Sequence, residues 1–128
     1  MSHPQQLPDY LDHMLEAARL ACSYVEGIKK TDFMADRRTQ QAVILNLIIL
    51  GEAATKLLAQ HERFCARHAE VPWRNMKGMR NRIAHGYFDV NLDLVWDTVQ
   101  TAMPRLVEQL PAVHAAALVA GGDEHPAA

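Results

Sequence analysis

The chain is short of the residues that build secreted, membrane-spanning and β-rich proteins. Two cysteines, Cys22 and Cys65, in 128 residues are too few for a disulfide framework; they fit a reducing compartment, with the cytoplasm as the expected location. The opening MSHPQQLPDY is polar and interrupted by Pro4 and Pro8, a pattern unlike the apolar run of a secretory signal. The longest nearly unbroken apolar stretch, residues 42–50, contains Asn46 and falls short of the roughly 20 residues that a spanning helix needs, so no membrane partner is expected. Strand-favouring aromatics supply only 6% of the chain, which argues against an all-β domain. Acids are missing from one window altogether, residues 71–88.

What is present points to helices. With 49% apolar and 22% charged residues, the composition is that of one globular domain. Leu, Ala, Met, Gln, Glu and Arg dominate, and these side chains lose little rotamer freedom in a helix, so the expected fold is all-α, an antiparallel four- or five-helix bundle. The net charge of −2 excludes a polycation that coats nucleic acid by bulk charge. Its distribution says more: Arg74, Lys77, Arg80 and Arg82 stand in the acid-free window, while the rest of the chain sets nine basic against fifteen acidic residues. An anionic ligand is expected there.

Apolar residues recur at three- and four-residue steps from Leu11 through Met14, Leu15, Ala18, Cys22 and Val25, which predicts a first helix with Asp9 as its N-cap and Gly27 near its end. A second begins within 35–38 and runs to about residue 60. It is apolar around most of its circumference over residues 43–50, as expected of a helix covered on more than one side; a second subunit is one source of that cover. Residues 61–70 read as a short helix or an irregular connection. A third helix, WRNMKGMRNRIAH, starts at Pro72 and stops at Gly86, and Asn91 caps a fourth that Pro104 should kink or divide. The expected organisation is a flexible N-terminus over residues 1–8, a helical domain over 9–110 and a mobile Ala/Gly-rich tail over 111–128.

On a continuous third helix, Met76, Met79, Ile83 and Ala84 gather on one face, and Arg80 falls inside that arc between Trp73 and Met76. An inward guanidinium needs an anionic partner or a water-filled cleft, because an unpaired buried charge is costly. Asn81 and His85 lie one turn apart beside it, and Tyr87 follows Gly86. Arginine, asparagine, histidine and tyrosine therefore converge at one helix end, and spacing alone leaves open both a structural cap and a phosphate site.

The segment PWRNMKGMRNRIAHGYFDVNLDLVW resembles the C-terminal half of HepT-like HEPN domains, the toxin partners of MNT nucleotidyltransferase antitoxins. The family pattern of arginine, a polar follower, histidine five positions after the arginine, and tyrosine two further on is matched by Arg80, Asn81, His85 and Tyr87. GEAATKL in the second helix and Pro72-Trp73 extend the similarity, which covers roughly residues 9–110. The resemblance implies a metal-independent ribonuclease of a type VII-like toxin-antitoxin pair, with no cofactor, acting on RNA, tRNA among the candidates. It implies Arg80 and His85 as catalytic residues in a homodimer cleft, and Tyr87 as the site where the antitoxin attaches AMP. The residue chemistry agrees: a neutral-range imidazole suits proton transfer, and a guanidinium fork suits phosphate oxygens. Asn81, Arg74, Lys77 and Arg82 are the supporting substrate contacts. A second reading, in another class, is a non-catalytic helical module that binds a nucleotidyltransferase or a nucleotide.

Three further signals have plainer explanations. His61, Cys65 and His68 would share one face of a helix, but a fourth ligand is missing, and no metal site is expected. Glu52 and Lys56 have the spacing of a surface ion pair. Trp73 and Trp96 fall on apolar faces, as core anchors do.

Overall fold

A computed structural model describes residues 6–85 and 88–120. The fold is all-α. Among the described residues three long helices, α1 (Leu7–Tyr24), α3 (Arg37–Gln60) and α7 (Leu92–Ala120), are joined by four short ones: α2 (Lys30–Ala35), α4 (Glu62–Arg67), α5 (Trp73–Lys77) and α6 (Met79–Ile83). Strands β1 (Ala84–His85) and β2 (Asp89–Val90) form a two-residue antiparallel ribbon, with Ala84 opposite Val90 and His85 opposite Asp89. The expected four or five helices thus become three long ones and four of one or two turns.

Helix α1 lies between α3 and α7, while α5 and α6 pack on α3. Its buried residues, among them Leu11, Met14, Leu15, Ala18 and Ala21, keep the three- and four-residue steps read from the sequence. It starts earlier than expected. Gln6 is the N-cap, and Asp9 sits in the first turn, where its carboxylate accepts from the Gln6 N–H at 2.8 Å; an anion is favoured at that end. Leu7 is buried, so residues 7 and 8 belong to the helix and not to a flexible N-terminus. Gly27, at φ +76°, turns the chain in a region where other L-residues are strained.

Helix α2, not foreseen from the sequence, buries Phe33, whose ring lies 5.3 Å from that of Trp96 at a tilt of 43°. Asp36 then caps α3, accepting from the Thr39 N–H at 3.1 Å and its hydroxyl at 2.7 Å. These bonds hold the Asp36 carboxyl below its ordinary range. Along α3, Val43, Leu47, Leu50, Ala54 and Leu57 are buried. Asn46, also buried, donates to the Ala42 carbonyl at 2.9 Å, which satisfies the polar atom that interrupts the apolar run. By length and hydropathy α3 is the one described helix that could cross a membrane. It is packed against α1, α5 and α6 and carries exposed Glu52 and Lys56, as a core helix does.

The largest departures concern the third and fourth predicted helices. The segment from Trp73 does not run unbroken to His85. Gly78, at φ −83° and ψ 0°, separates α5 from α6, and residues 84–85 turn into extended backbone. Helix α7 begins as expected, with the Asn91 side chain accepting from the Leu94 N–H at 3.0 Å. It then passes Pro104 undivided and continues through Pro111 to Ala120. Both prolines stand on the exposed side, where water can hydrate the carbonyls that their missing N–H groups leave open. Val113 and Ala117 are buried, so residues 111–120 belong to the bundle and the tail expected from residue 111 starts no earlier than residue 121. Residues 121–128 lie outside the described residues.

Candidate functional site

The site residues sit on α5, α6 and the ribbon, and their placement begins with a glycine on α3. The Met76 carbonyl of α5 comes so close to Gly51 that an added Cβ would lie 2.8 Å from its oxygen. That approach seats α5 on α3 and buries Trp73 and Met76. The Trp73 indole Nε1 donates to the carbonyls of Cys65 and His68, each at 3.0 Å. Trp73 is therefore the core anchor that the sequence suggested, and it fixes the end of α4 to the start of α5.

Gly78 separates α5 from α6. In α6 the buried edge is Met79 and Ile83, four residues apart, and Arg80, Asn81 and Arg82 are exposed. Arg80 thus does not point into the core, contrary to the expected inward placement. Met76, Met79 and Ile83 keep the buried face expected of them, and Arg80, placed at the margin of that face, lies exposed beside it. Exposure places the Arg80 side chain at the surface. Arg74 and Lys77 are also exposed, on α5. The Arg82 guanidinium reaches back and donates to the Asn75 carbonyl, tying α6 to α5.

The backbone of His85 pairs with Asp89 across the ribbon, and the Asn91 N–H donates to the Ile83 carbonyl at 2.7 Å. His85 is therefore no longer one helical turn from Asn81, as a continuous helix would have placed it. It stands two residues beyond the end of α6. Tyr87 lies outside the described residues. Phe88, just before β2, is fully exposed, and the sequence reading passed over it. Its signal was available as an aromatic closing a basic, acid-free window, the composition of surfaces that stack unpaired bases.

The secondary candidates do not assemble. His61 and Cys65 are buried, whereas His68 is half-buried, with Nδ1 3.4 Å from a Glu70 carboxylate oxygen and its ring against Phe64. Among the described residues no three His, Cys, Asp or Glu side chains are placed to share a metal ion. Cys22 is half-buried beside α7, and burial pushes its thiol up, away from the thiolate that reactivity requires.

Comparison with known proteins bears on the same segment. The family model described as "Ribonuclease HepT-like" matches residues 14–113. "Probable ribonuclease HepT" of Thermococcus cleftensis is 39% identical over 77% of this chain and 86% of its own length. A "Putative RNase" of Caldanaerobacter subterraneus is 35% identical over 79% of this chain and 88% of its own, and one from Methanocaldococcus jannaschii is 30% identical over 79% and 81%. No solved structure matched. The match runs unbroken from α1 into α7 and takes in the whole segment from Trp73 to Val90. An all-α bundle that presents Arg80, Asn81 and the His85 strand at one edge, within a match of this extent, belongs to the HepT-like ribonuclease family.

Proposed function

We propose that the chain is an endoribonuclease that cleaves RNA without a metal ion, with Arg80 and His85 as its catalytic residues. The observation that carries this reading is the exposed cationic edge of α5 and α6, Arg74, Lys77, Arg80 and Arg82, in a window without a single acid that also holds His85. Attack of a ribose 2′-OH on the adjacent phosphorus needs a base for that proton, an acid for the departing 5′ oxygen and positive charge for the equatorial oxygens. An imidazole serves either proton transfer, and Arg80 serves the charge. Asn81, Arg74, Lys77 and Arg82 hold the flanking backbone, and Phe88 offers a face for an unpaired base.

One chain carries one motif histidine, and the reaction uses a base and an acid. A two-fold homodimer supplies both. Support for it comes from α3, where Leu45 and Ile49 lie one turn apart, 57% and 38% exposed, an apolar stripe that a second copy would cover. In this reading the protein is the cytoplasmic toxin of a type VII-like pair, tRNA is a candidate substrate, and an MNT nucleotidyltransferase is its antitoxin. That partner joins the α-phosphorus of ATP to the Tyr87 phenolic oxygen, with pyrophosphate leaving. The added AMP places bulk and negative charge beside His85, where RNA phosphate must sit.

The test is cleavage of a labelled RNA by purified variants in EDTA. His85→Ala is expected to abolish cleavage and Arg80→Ala to lower it by about 10²-fold or more, with helical content unchanged, and the wild-type products should end in 2′,3′-cyclic phosphate. Wild-type rates from a folded His85→Ala protein would remove His85 from the reaction.

A further inference from the structure

A hollow of about 390 Å³ opens where the end of α3, α4 and the start of α5 meet. We propose that it receives one unpaired nucleobase of the RNA substrate at a fixed distance along the strand from the scissile phosphate; the proposal rests on the ribonuclease reading and names a determinant of its specificity. The volume falls in the range of small-molecule sites, roughly 300–1,000 Å³. Leu58, Val71 and Trp73 give apolar walls, and Glu62, Arg74 and Asn75 stand at the rim.

Each part has the chemistry that a base and its phosphate require. The apolar wall takes the ring, and its desolvation supplies the binding. The Glu62 carboxylate accepts from an exocyclic amino group, the Asn75 amide both donates and accepts on a base edge, and Arg74 meets the attached phosphate. The wall is held in place before any ligand arrives, because both bonds from the Trp73 indole fix α4 against α5, so little ordering remains for binding to oppose. The hollow also belongs to the cationic edge. Arg74 is common to both, and Asn75 on the rim is bonded through its carbonyl to Arg82, two residues from Arg80. A strand lying on Arg74, Lys77 and Arg80 therefore passes the mouth of the hollow, and Glu62 is the only acid among its lining residues.

The experiment uses the full chain with Trp96→Phe, which leaves Trp73 as its one tryptophan. Nucleoside 5′-monophosphates are titrated while Trp73 emission is followed. Saturable quenching is expected, weakened at least tenfold by Ala66→Leu. Ala66 lines the hollow and is exposed, so leucine there fills the cavity without entering the core; Ala69→Leu, equally exposed, repeats the test from the other side. Sequencing the ends produced from a randomised single-stranded RNA gives the second readout. The wild type should prefer certain bases at one fixed offset from the cut, with uridine, which lacks an exocyclic amino group, disfavoured, and the leucine variants should cut with that preference flattened. Quenching unchanged by both fillings overturns the proposal. So does quenching that the fillings abolish while the product ends stay the same, since the occupant is then a free nucleotide. A wild type that shows the Ala66-dependent quenching yet cleaves no RNA supports a base pocket and overturns the ribonuclease reading instead.

Discussion

Gly51→Ala tests whether the approach of α3 to α5 sets the site. In an exposed helix the change is favourable by about 1 kcal/mol, because alanine loses less backbone entropy. Here the new methyl lies 2.8 Å from the Met76 carbonyl oxygen and 3.7 Å from the Met79 Cβ. The nearest atom is main chain, and no side-chain rotation can move it aside. Overpacking of this kind costs about 1–3 kcal/mol, and a contact against backbone belongs at the upper end. The net loss is then about 1–2 kcal/mol, which for a domain of this size lowers Tm by about 4–10 °C. Relief comes by sliding α5 and α6 outward, so RNA cleavage should fall by more than the unfolded fraction accounts for. Gly78→Ala is the matched control. Its Cβ would meet nothing closer than 3.8 Å, and its φ of −83° suits alanine, so stability should be unchanged or higher by up to about 1 kcal/mol. Thermal melts and single-turnover cleavage of both variants decide the matter. A Gly51→Ala protein as stable and active as the wild type would refute the argument that this contact positions the motif.

The remaining predictions concern a cap, an interface and a modification. Thr39 holds the Asp36 carboxyl below its ordinary range, so the folded state binds that proton less readily than the unfolded chain; the stabilisation is complete above the unfolded value near about 4 and is lost as pH falls through the folded one. The Tm gap between wild type and Asp36→Ala should therefore be open at neutral pH and narrow in acid, and a gap constant across that range would contradict it. Replacing exposed Leu45 and Ile49 by glutamate should leave the helical signal intact and shift light scattering from dimer to monomer, with cleavage lost; an active monomer would remove the need for two histidines. Tyr87→Phe keeps the ring and loses the acceptor oxygen, so with the nucleotidyltransferase, ATP and Mg²⁺ it should gain no AMP by intact-mass spectrometry and stay active. The same adduct on that variant would put the acceptor elsewhere.

Much of the bundle was legible in the sequence because it depends on neighbours within one helical turn. The three- and four-residue steps of α1, the start of α3, the Asn91 cap of α7 and the core role of Trp73 all follow from local spacing and local hydrogen bonds. The length of α7 was not legible. Pro111 and the Ala-rich run after it read as an end, and only burial of Val113 and Ala117 against the bundle makes them helix. The candidate site divides in the same way. Arg80, Asn81, His85 and Tyr87 are recognisable as a set from their spacing, but the direction in which Arg80 points was settled by tertiary structure. The helical wheel puts it at the margin of the apolar face, and in the fold that face is filled by Met76, Met79 and Ile83 while Arg80 stays exposed. The hollow beside Trp73 has no sequence signature at all, since α3, α4 and α5 make it only when Gly51 lets α5 settle on α3. Local spacing fixes which side chains share a turn, whereas the seating of one helix on another fixes which way a short segment faces, and that choice is made by contacts distant in the chain.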